Sequence, residues 1–234
     1  MTIVVYNKKY KSVKKLYFFI RRIYWWYDGD MEIVKLYFVD LELGFLHKDK
    51  LLKCVNDRQK EKAQRYKNEV DQVRSLVSSC LVNSLSKEPL LFGDMGKPYY
   101  QNGPYFNISH SGNFIMMGVS DKEIGVDIEE NVVKDMSLLL RIFNEAEAKV
   151  IKEHSDFYYL WCAKESLIKC TGGSVNKVKD VPSLPLNGIK TYKGKDYQCQ
   201  TFIYEKHIVS ITREGSEEFK VDVQRLKRFP FAIK

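Results

Sequence analysis

The sequence lacks several features that would assign it to a common class. It has no apolar run of the roughly 18–20 residues that a membrane-spanning helix needs. Its five cysteines contain no C-x-x-C pair and are odd in number, so neither a disulfide framework nor a C-x-x-C metal or redox site is indicated. No secretory signal, internal repeat or low-complexity linker is visible. We therefore expect a reduced, cytoplasmic protein whose cysteines pack as small hydrophobic residues.

The composition is that of a globular protein with an uneven positive charge. The chain has 234 residues, 44% hydrophobic and 29% charged, enough to bury one large core or two small ones. The net charge is +8, and residues 1–30 carry seven Lys or Arg against two acids, together with nine aromatic residues. Such a segment can contact nucleic acid or a membrane. We expect instead a packing extension, or sequence upstream of a start at Met31, where a regular strand pattern begins.

The periodicity predicts an α+β protein. The predicted strands are 31–42, 105–108, 114–119, 124–128, 197–205 and 207–214. The predicted helices are 56–85, with a break near Asn68, then 137–153 and 157–170; 92–104 is a predicted loop. Asn56 or Asp57, and later Asn144, are expected N-caps, and Gly172 closes the last helix. The order suggests an extension at 1–30 and two α+β halves at 31–123 and 124–234.

The stretch "IGVDIEE" (124–130) places carboxylates on an apolar strand. Side chains alternate along a strand, so Asp127 and Glu129 share a face about 7 Å apart, while Glu130 does not. Two such carboxylates repel each other unless a cation lies between them, and oxygen ligands suit Mg²⁺. A strand end with a solvated acidic face is the simpler explanation of this stretch alone.

The helix "LWCAKESLIKC" supplies a lysine beside another carboxylate. Glu165 and Lys169 are four residues apart and share one face, with Trp161 one turn earlier. Lys164 points about 100° away from Glu165. An ordinary surface ion pair is the alternative interpretation.

The corner Ser109-His110-Ser111-Gly112 lies between two predicted strands. Its hydroxyls, imidazole and backbone N–H groups can receive a phosphate, although an ordinary polar turn has the same composition. No G-x-S-x-G elbow surrounds either serine, which argues against a catalytic serine.

Cations occur elsewhere on turns and helices. Lys97 lies in a rigid turn between Gly96 and Pro98. The first long helical segment carries Arg58, Lys60, Lys62, Arg65 and Arg74. These charges form either a solvated face or a surface that receives a polyanion.

Taken in order, four motifs resemble a known family. "GKPYY", "FNISHSG", "IGVDIEE" and "WCAKESLIKCTGG" have the order and approximate spacing found in the Sfp-type 4′-phosphopantetheinyl transferases. The resemblance covers about residues 31–215. It implies a pseudo-dimer of two similar α+β halves with the active site, and coenzyme A, in the cleft between them. It also implies transfer of the 4′-phosphopantetheine arm to a serine hydroxyl of an apo acyl or peptidyl carrier protein, with release of adenosine 3′,5′-bisphosphate.

The resemblance also implies roles for individual residues. Asp127, Glu129 and Glu165 would hold Mg²⁺, or Mn²⁺, against the pyrophosphate, and Lys169 would stabilise the leaving group. Either Glu165 or a metal-bound water would accept the serine proton.

The remaining coenzyme A contacts are implied in the same way. Ser109, His110 and Lys97 would contact its phosphates. Lys62, Arg74 and Ser75 match positions that contact the adenosine 3′-phosphate and adenine. One departure is Gln59, where the family often has a second basic residue.

The resemblance also implies an acidic carrier protein, which suits a basic enzyme. We expect a monomer without nucleic-acid or membrane partners. Two alternatives are a Mg²⁺-dependent nucleotide phosphohydrolase, with water as nucleophile, and a basic nucleic-acid-binding protein.

Overall fold

The computed structural model describes residues 4–5, 32–133 and 139–229. Residues 1–30, predicted as an extension, lie outside these ranges except for Val4 and Val5, and so do residues 137–138 of the predicted helix 137–153. The strands in the described ranges are β1 Val4–Val5, β2 Glu32–Asp40, β3 Leu91–Phe92, β4 Pro98–Tyr99, β5 Tyr105–Ser111, β6 Phe114–Ser120, β7 Ile124–Glu130, β8 Gly188–Tyr192, β9 Lys195–Tyr204, β10 His207–Glu214 and β11 Phe219–Leu226. The α-helices are α1 Leu41–Leu46, α2 Lys48–Cys54, α3 Asp57–Gln64, α4 Glu69–Leu85, α5 Glu145–Val150 and α6 His154–Thr171, with 3-10 helices at Leu139–Ile142 and Val175–Asp180.

The strands form two main sheets that pack face to face. Sheet 1 has the order β1-β11-β2-β6-β5, sheet 2 has the order β7-β10-β9-β8, and β3 and β4 form a separate hairpin. Strand β2 is buried on both faces: Tyr37 and Val39 join the core under α1–α4, whereas Leu36 and Phe38 join the core between the sheets. Because α6 covers the outer face of sheet 2, the molecule has helices outside two central sheets.

The α+β class is confirmed, and the local signals account for much of it. Asn56 begins α3 in a capping box with Gln59, and Asn68 caps α4, so the predicted break divides the long helical segment. Asn144 caps α5, which is shorter than the helix predicted over 137–153. Gly172 ends α6 in a left-handed conformation, with φ 63°.

Strand β11, late in the chain, pairs with the early strand β2. It lies in sheet 1 and pairs in parallel with β2, with Val221 opposite Val34. The chain therefore returns to the first sheet after building the second. The division into halves at residues 123/124, and the likeness of the two halves, stay predictions.

Helix α6 lies directly against β7 because Gly125 has no side chain. A Cβ at Gly125 would be 1.9 Å from the Ser166 carbonyl oxygen and 2.2 Å from the Cys170 nitrogen, both in α6. Glycine is thus required where helix and strand backbones meet. None of the helices within the described ranges is long and apolar enough to cross a membrane.

Candidate active site

The acidic face of β7 points towards α6. Ile124, Val126 and Ile128 enter the core between the sheets. By strand alternation, Asp127 and Glu129 face the helix that crosses Gly125. The close approach at Gly125 brings Glu165 and Lys169 to these carboxylates.

Lys169 connects the carboxylates to β5. Its Nζ donates to Asp127 Oδ1 at 2.5 Å and to Ser109 Oγ at 3.0 Å, and lies 3.9 Å from Glu165 Oε2. Burial lowers the pKa of Lys169, but the charge of Asp127 and their hydrogen bond outweigh it, so the pKa is raised overall. The helical Glu165–Lys169 pair exists as predicted, yet the closer partner of the lysine is Asp127.

Glu129 is held by two donors. Ser111 Oγ donates to Glu129 Oε2 at 2.9 Å, and Trp161 Nε1 donates to Glu129 Oε1 at 3.3 Å. Burial, followed by the negative charge of Asp127, raises the pKa of Glu129. Its neighbours therefore fix its orientation without neutralising its charge.

Glu165 faces the same cluster from α6. Burial raises its pKa against the opposing effect of Lys169, and Asp127 and Glu129 add to the rise. Two buried oxygens, Asp127 Oδ2 and Glu165 Oε1, have no hydrogen-bond partner among the described residues. Three carboxylates beside one ammonium group leave two negative charges uncompensated.

These features fit a divalent cation, although the side chains do not form a finished metal cage. Among the residues that the structure describes, no three His, Cys, Asp or Glu side chains are grouped as a metal site. Instead, the ammonium of Lys169 lies against Asp127. The fit rests on the two unpartnered carboxylate oxygens, the hard oxygen donors and the uncompensated charge.

Two further side chains that can bind an anion, Arg74 and His110, lie on the other face of β5. Arg74 Nη2 donates to the Gly112 carbonyl oxygen at 2.7 Å, and Arg74 Nη1 is 3.1 Å from Asp71 Oδ1. Burial and then the charges of Arg74 and Lys169 lower the pKa of His110. The predicted corner is shorter than expected, because β5 continues to Ser111 and only residues 112–113 separate it from β6. The structure brings Arg74, His110 and Lys169 to the end of β5, as an anion site requires.

Three other predicted site residues lie apart from this group. Lys97 Nζ donates to Glu123 Oε2 at 2.5 Å, the Cys170 carbonyl oxygen at 2.9 Å and the Ile124 carbonyl oxygen at 3.1 Å, tying its turn to α6 and β7. Lys62 is exposed on α3. Ser75 Oγ is buried without a hydrogen-bond partner in the described part of the chain.

The departure at Gln59 has a structural reason. Its side chain accepts from the Asn56 backbone N–H at 3.0 Å as part of the capping box, and it bonds Asn83 of α4 at 3.0 Å. Gln59 thus fixes α3 on α4, and a basic side chain there would lose these contacts.

Sequence reasoning missed Ser111 of β5 and Trp161 of α6 as partners of Glu129, and Asn107 as a contact between β5 and β7. Asn107 and Ser111 lie on the same face of the strand as Ser109, and all three contact β7. The alternation N-x-S-x-S was the available signal for this polar face. The sequence places Trp161 only one helical turn before Glu165, whereas in the structure its indole N–H donates to Glu129.

Lys164, next to Glu165 in the helix motif, faces the opposite way. It is fully buried, with Nζ 2.8 Å from Glu147 Oε2, and it also donates to the Val181 carbonyl oxygen. Glu147 Oε1 accepts from the Ser183 backbone N–H and hydroxyl. Successive residues of one motif thus have different tasks: Lys164 fixes the position of α6, and Glu165 lines the site.

Comparison with known proteins gives a consistent result. Residues 123–220 match the family model described as the 4′-phosphopantetheinyl transferase superfamily. The chain is similar to the 4′-phosphopantetheinyl transferase of Bacillus subtilis, with 29% identity over 81% of this chain and 91% of the relative. It is 30% identical to 4′-phosphopantetheinyl transferase ffp of Bacillus subtilis over 76% of this chain and 83% of the relative. It is 31% identical to 4′-phosphopantetheinyl transferase gsp of Aneurinibacillus migulanus over 63% of this chain and 66% of the relative.

Proposed function

The chain belongs to the 4′-phosphopantetheinyl transferase superfamily and is an enzyme of this class, and we propose that it takes the 4′-phosphopantetheine arm from coenzyme A. The acceptor is a serine hydroxyl of an apo acyl or peptidyl carrier protein, and adenosine 3′,5′-bisphosphate is released. The observation that carries the proposal is the cluster of Asp127, Glu129 and Glu165 around Lys169. It combines metal-ligand oxygens with a cation for phosphate.

The reaction exchanges one P–O bond for another. The serine oxygen attacks the phosphorus on the pantetheine side of the coenzyme A pyrophosphate, and the bond from that phosphorus to the bridging oxygen breaks. The bridging oxygen leaves with adenosine 3′,5′-bisphosphate, and the serine proton passes to an acceptor. Charge accumulates on phosphate oxygens, so fixed cations provide most of the stabilisation.

Asp127, Glu129 and Glu165 are the residues proposed to hold Mg²⁺, or Mn²⁺. When bound, the ion would offset charge on the pyrophosphate oxygens. The side chain of Lys169 is 26% exposed although it contacts Asp127, so its ammonium group can also bind a phosphate oxygen. Its task is to stabilise the oxygen that leaves.

Glu165 is proposed as the acceptor of the serine proton. Its Oε1 lacks a protein donor among the described residues, whereas both oxygens of Glu129 accept hydrogen bonds. Because Glu165 has two carboxylate oxygens, one can hold the ion while the other receives a proton from a hydroxyl within reach.

The phosphates of coenzyme A are proposed to bind at the end of β5. Ser109 and His110 lie in the last residues of this strand, and Arg74 supplies a charge from α4. Lys97 stays a prediction for the phosphates, and Lys62 and Ser75 stay predictions for the adenosine end. A monomeric, cytoplasmic enzyme that docks an acidic carrier is likewise part of the proposal.

Intact-mass spectrometry tests the proposal. Apo acyl and peptidyl carrier proteins are incubated with the enzyme, coenzyme A and Mg²⁺. The expected result is a phosphopantetheine mass gain on a carrier, release of adenosine 3′,5′-bisphosphate, and loss of both when EDTA is added. A carrier that keeps its apo mass while coenzyme A is hydrolysed would instead support a phosphohydrolase.

A further inference from the structure

The two sheets meet at β5 and β7 through side chains. These strands lie at neighbouring edges, yet they belong to different sheets. Three residues of β5 replace backbone carbonyls as acceptors: Asn107 Oδ1 accepts from the Val126 N–H at 2.9 Å, and Ser109 Oγ accepts from the Ile128 N–H at 3.4 Å. Ser111 Oγ accepts from the Glu130 N–H at 2.9 Å. We call this set of contacts the β5–β7 ladder.

The last rung of the ladder also reaches a carboxylate. Ser111 Oγ accepts from the backbone of Glu130 and donates to Glu129 Oε2 at 2.9 Å. The hydroxyl therefore has one fixed acceptor role and one fixed donor role. The first rung is different, because Asn107 Oδ1 accepts from the Val126 N–H and Asn107 has no hydrogen bond to a carboxylate among the described residues.

We propose that Ser111 is a positioning residue that orients Glu129 for the divalent cation. The proposal rests on the function proposed above and extends it from the metal ligands to the group behind them. Ser111 binds one oxygen of Glu129, and Trp161 binds the other at 3.3 Å. Two donors from different elements fix the plane of the carboxylate, which would otherwise rotate about its side-chain bonds.

The ladder explains why a serine serves here. The Glu130 N–H fixes the position of Ser111 Oγ, so the hydroxyl hydrogen of Ser111 is directed to Glu129. Outer partners of metal ligands typically contribute about tenfold to a hundredfold in metal affinity or activity. We expect an effect of that size on cation binding, separate from any effect on folding.

The test measures Mn²⁺ binding by electron paramagnetic resonance of the free ion. The full-length enzyme is mixed with coenzyme A and no carrier, so that no turnover occurs. Ser111→Ala should weaken Mn²⁺ binding by about tenfold or more, while Ser111→Thr, which keeps the hydroxyl, should restore most of it. Transfer by Ser111→Ala should then recover when the Mg²⁺ concentration is raised.

Asn107→Ala is the matched control. It removes one rung and leaves one backbone N–H without its acceptor, as Ser111→Ala does, but it does not touch Glu129. Its thermal unfolding temperature should fall by a similar amount, with Mn²⁺ affinity close to that of the wild type.

Two results would overturn the proposal. If the wild type binds Mn²⁺ and Ser111→Ala binds it equally well, Ser111 does not position Glu129. If Asn107→Ala weakens Mn²⁺ binding as much as Ser111→Ala, the ladder acts only through stability. Failure of the proposed function has a different signature, since the wild type itself would neither bind the ion nor modify a carrier.

Discussion

Lys169 is the residue whose contacts most directly match the proposed chemistry. It is the cation shared by Asp127 and Ser109, and it lies one helical turn from Glu165. It therefore influences both the carboxylates and the corner that is proposed to receive phosphate.

Replacing Lys169 should affect turnover more than binding. Lys169→Ala should lower kcat by about 10²–10³-fold, because a fixed donor to a developing charge is lost, with a much smaller change in KM for coenzyme A. Steady-state kinetics with an apo carrier measure both parameters. Lys195→Ala, which removes an exposed lysine paired with Glu214, is the control and should leave both unchanged. An increase in KM with an unaltered kcat would show that Lys169 only binds substrate.

Lys190 is a buried lysine outside the site. It is 2% exposed, and its Nζ has no hydrogen-bond partner among the described residues. Burial lowers the pKa of Lys190 from its ordinary value near 10.5. The charged form is therefore disfavoured in the folded protein.

Lys190→Met should stabilise the protein by about 1–3 kcal/mol, because it removes an unpaired polar group from the interior. The unfolded chain binds the lysine proton more tightly than the folded one, so the wild type gains stability as the pH rises towards 10.5. The advantage of the variant should accordingly be largest at lower pH and shrink towards 10.5. Denaturant unfolding at several pH values measures it, with the exposed Lys220→Met as control. A destabilised variant at every pH would contradict the account.

At the scale of elements, the contact between α6 and β7 builds the site. Glu165 and Lys169 reach Asp127 only because Gly125 lets the helix backbone lie against the strand. Gly125 in β7 and the four-residue spacing of Glu165 and Lys169 in α6 are thus parts of the same helix–strand contact.

Gly125→Ala should separate these two elements. Its Cβ would overlap backbone atoms of Ser166 and Cys170, so we expect a loss of about 3 kcal/mol or more in the free energy of unfolding and loss of transfer activity. Gly93→Ala is the control, since its nearest neighbour would be 3.8 Å away. Chemical unfolding and the transfer assay measure both. An active Gly125→Ala protein of normal stability would refute the packing argument.

The elements that could be predicted are those with a strong local signal. The alternation of 124–128 and the caps at Asn56, Asn144 and Gly172 located β7, α3, α5 and the end of α6. Short α1 and α2 have too few residues for a clear period, and β3 and β4 were hidden in a predicted loop. Strand β8, with five residues, and strand β11, with eight, were also missed.

Pairing partners were harder to predict than elements. The parallel pairing of β11 with β2 joins residues far apart in sequence, and neither strand encodes its neighbour. The partners of Asn107, Ser111 and Lys164 are also distant in sequence, so the sequence around each residue does not indicate them. The shared face of Asp127 and Glu129 was predictable because alternate residues of a strand point to the same side, whereas their assignment to a site came from the family resemblance.

At the scale of the whole molecule, the site lies where two sheets meet. Strand β5 belongs to sheet 1 and β7 to sheet 2, and their side-chain contacts surround the carboxylate cluster. A ligand there would contact both sheets as well as α6. This position supports binding of coenzyme A in a cleft, as the family resemblance implies.

The net charge leads to a prediction about the carrier. A chain of net charge +8 should attract an acidic carrier at long range, and added salt should screen this attraction. The KM for the carrier should therefore rise several-fold between about 50 and 300 mM NaCl at fixed Mg²⁺, with little change in kcat. Kinetics with a carrier whose surface acids are neutralised provide the control. A KM independent of salt would argue against electrostatic docking.

The central claim is that the cluster at the β7–α6 contact performs the transfer, and Asp127→Asn tests it most directly. The substitution keeps the size of the side chain and removes the charge that faces Lys169. The measurement is the initial rate of phosphopantetheine addition to an apo carrier, by intact mass, for a variant whose circular dichroism and unfolding temperature show it folded. We predict a rate at least about 10³-fold below the wild type at saturating Mg²⁺. A folded Asp127→Asn enzyme within about twofold of the wild-type rate would contradict the account.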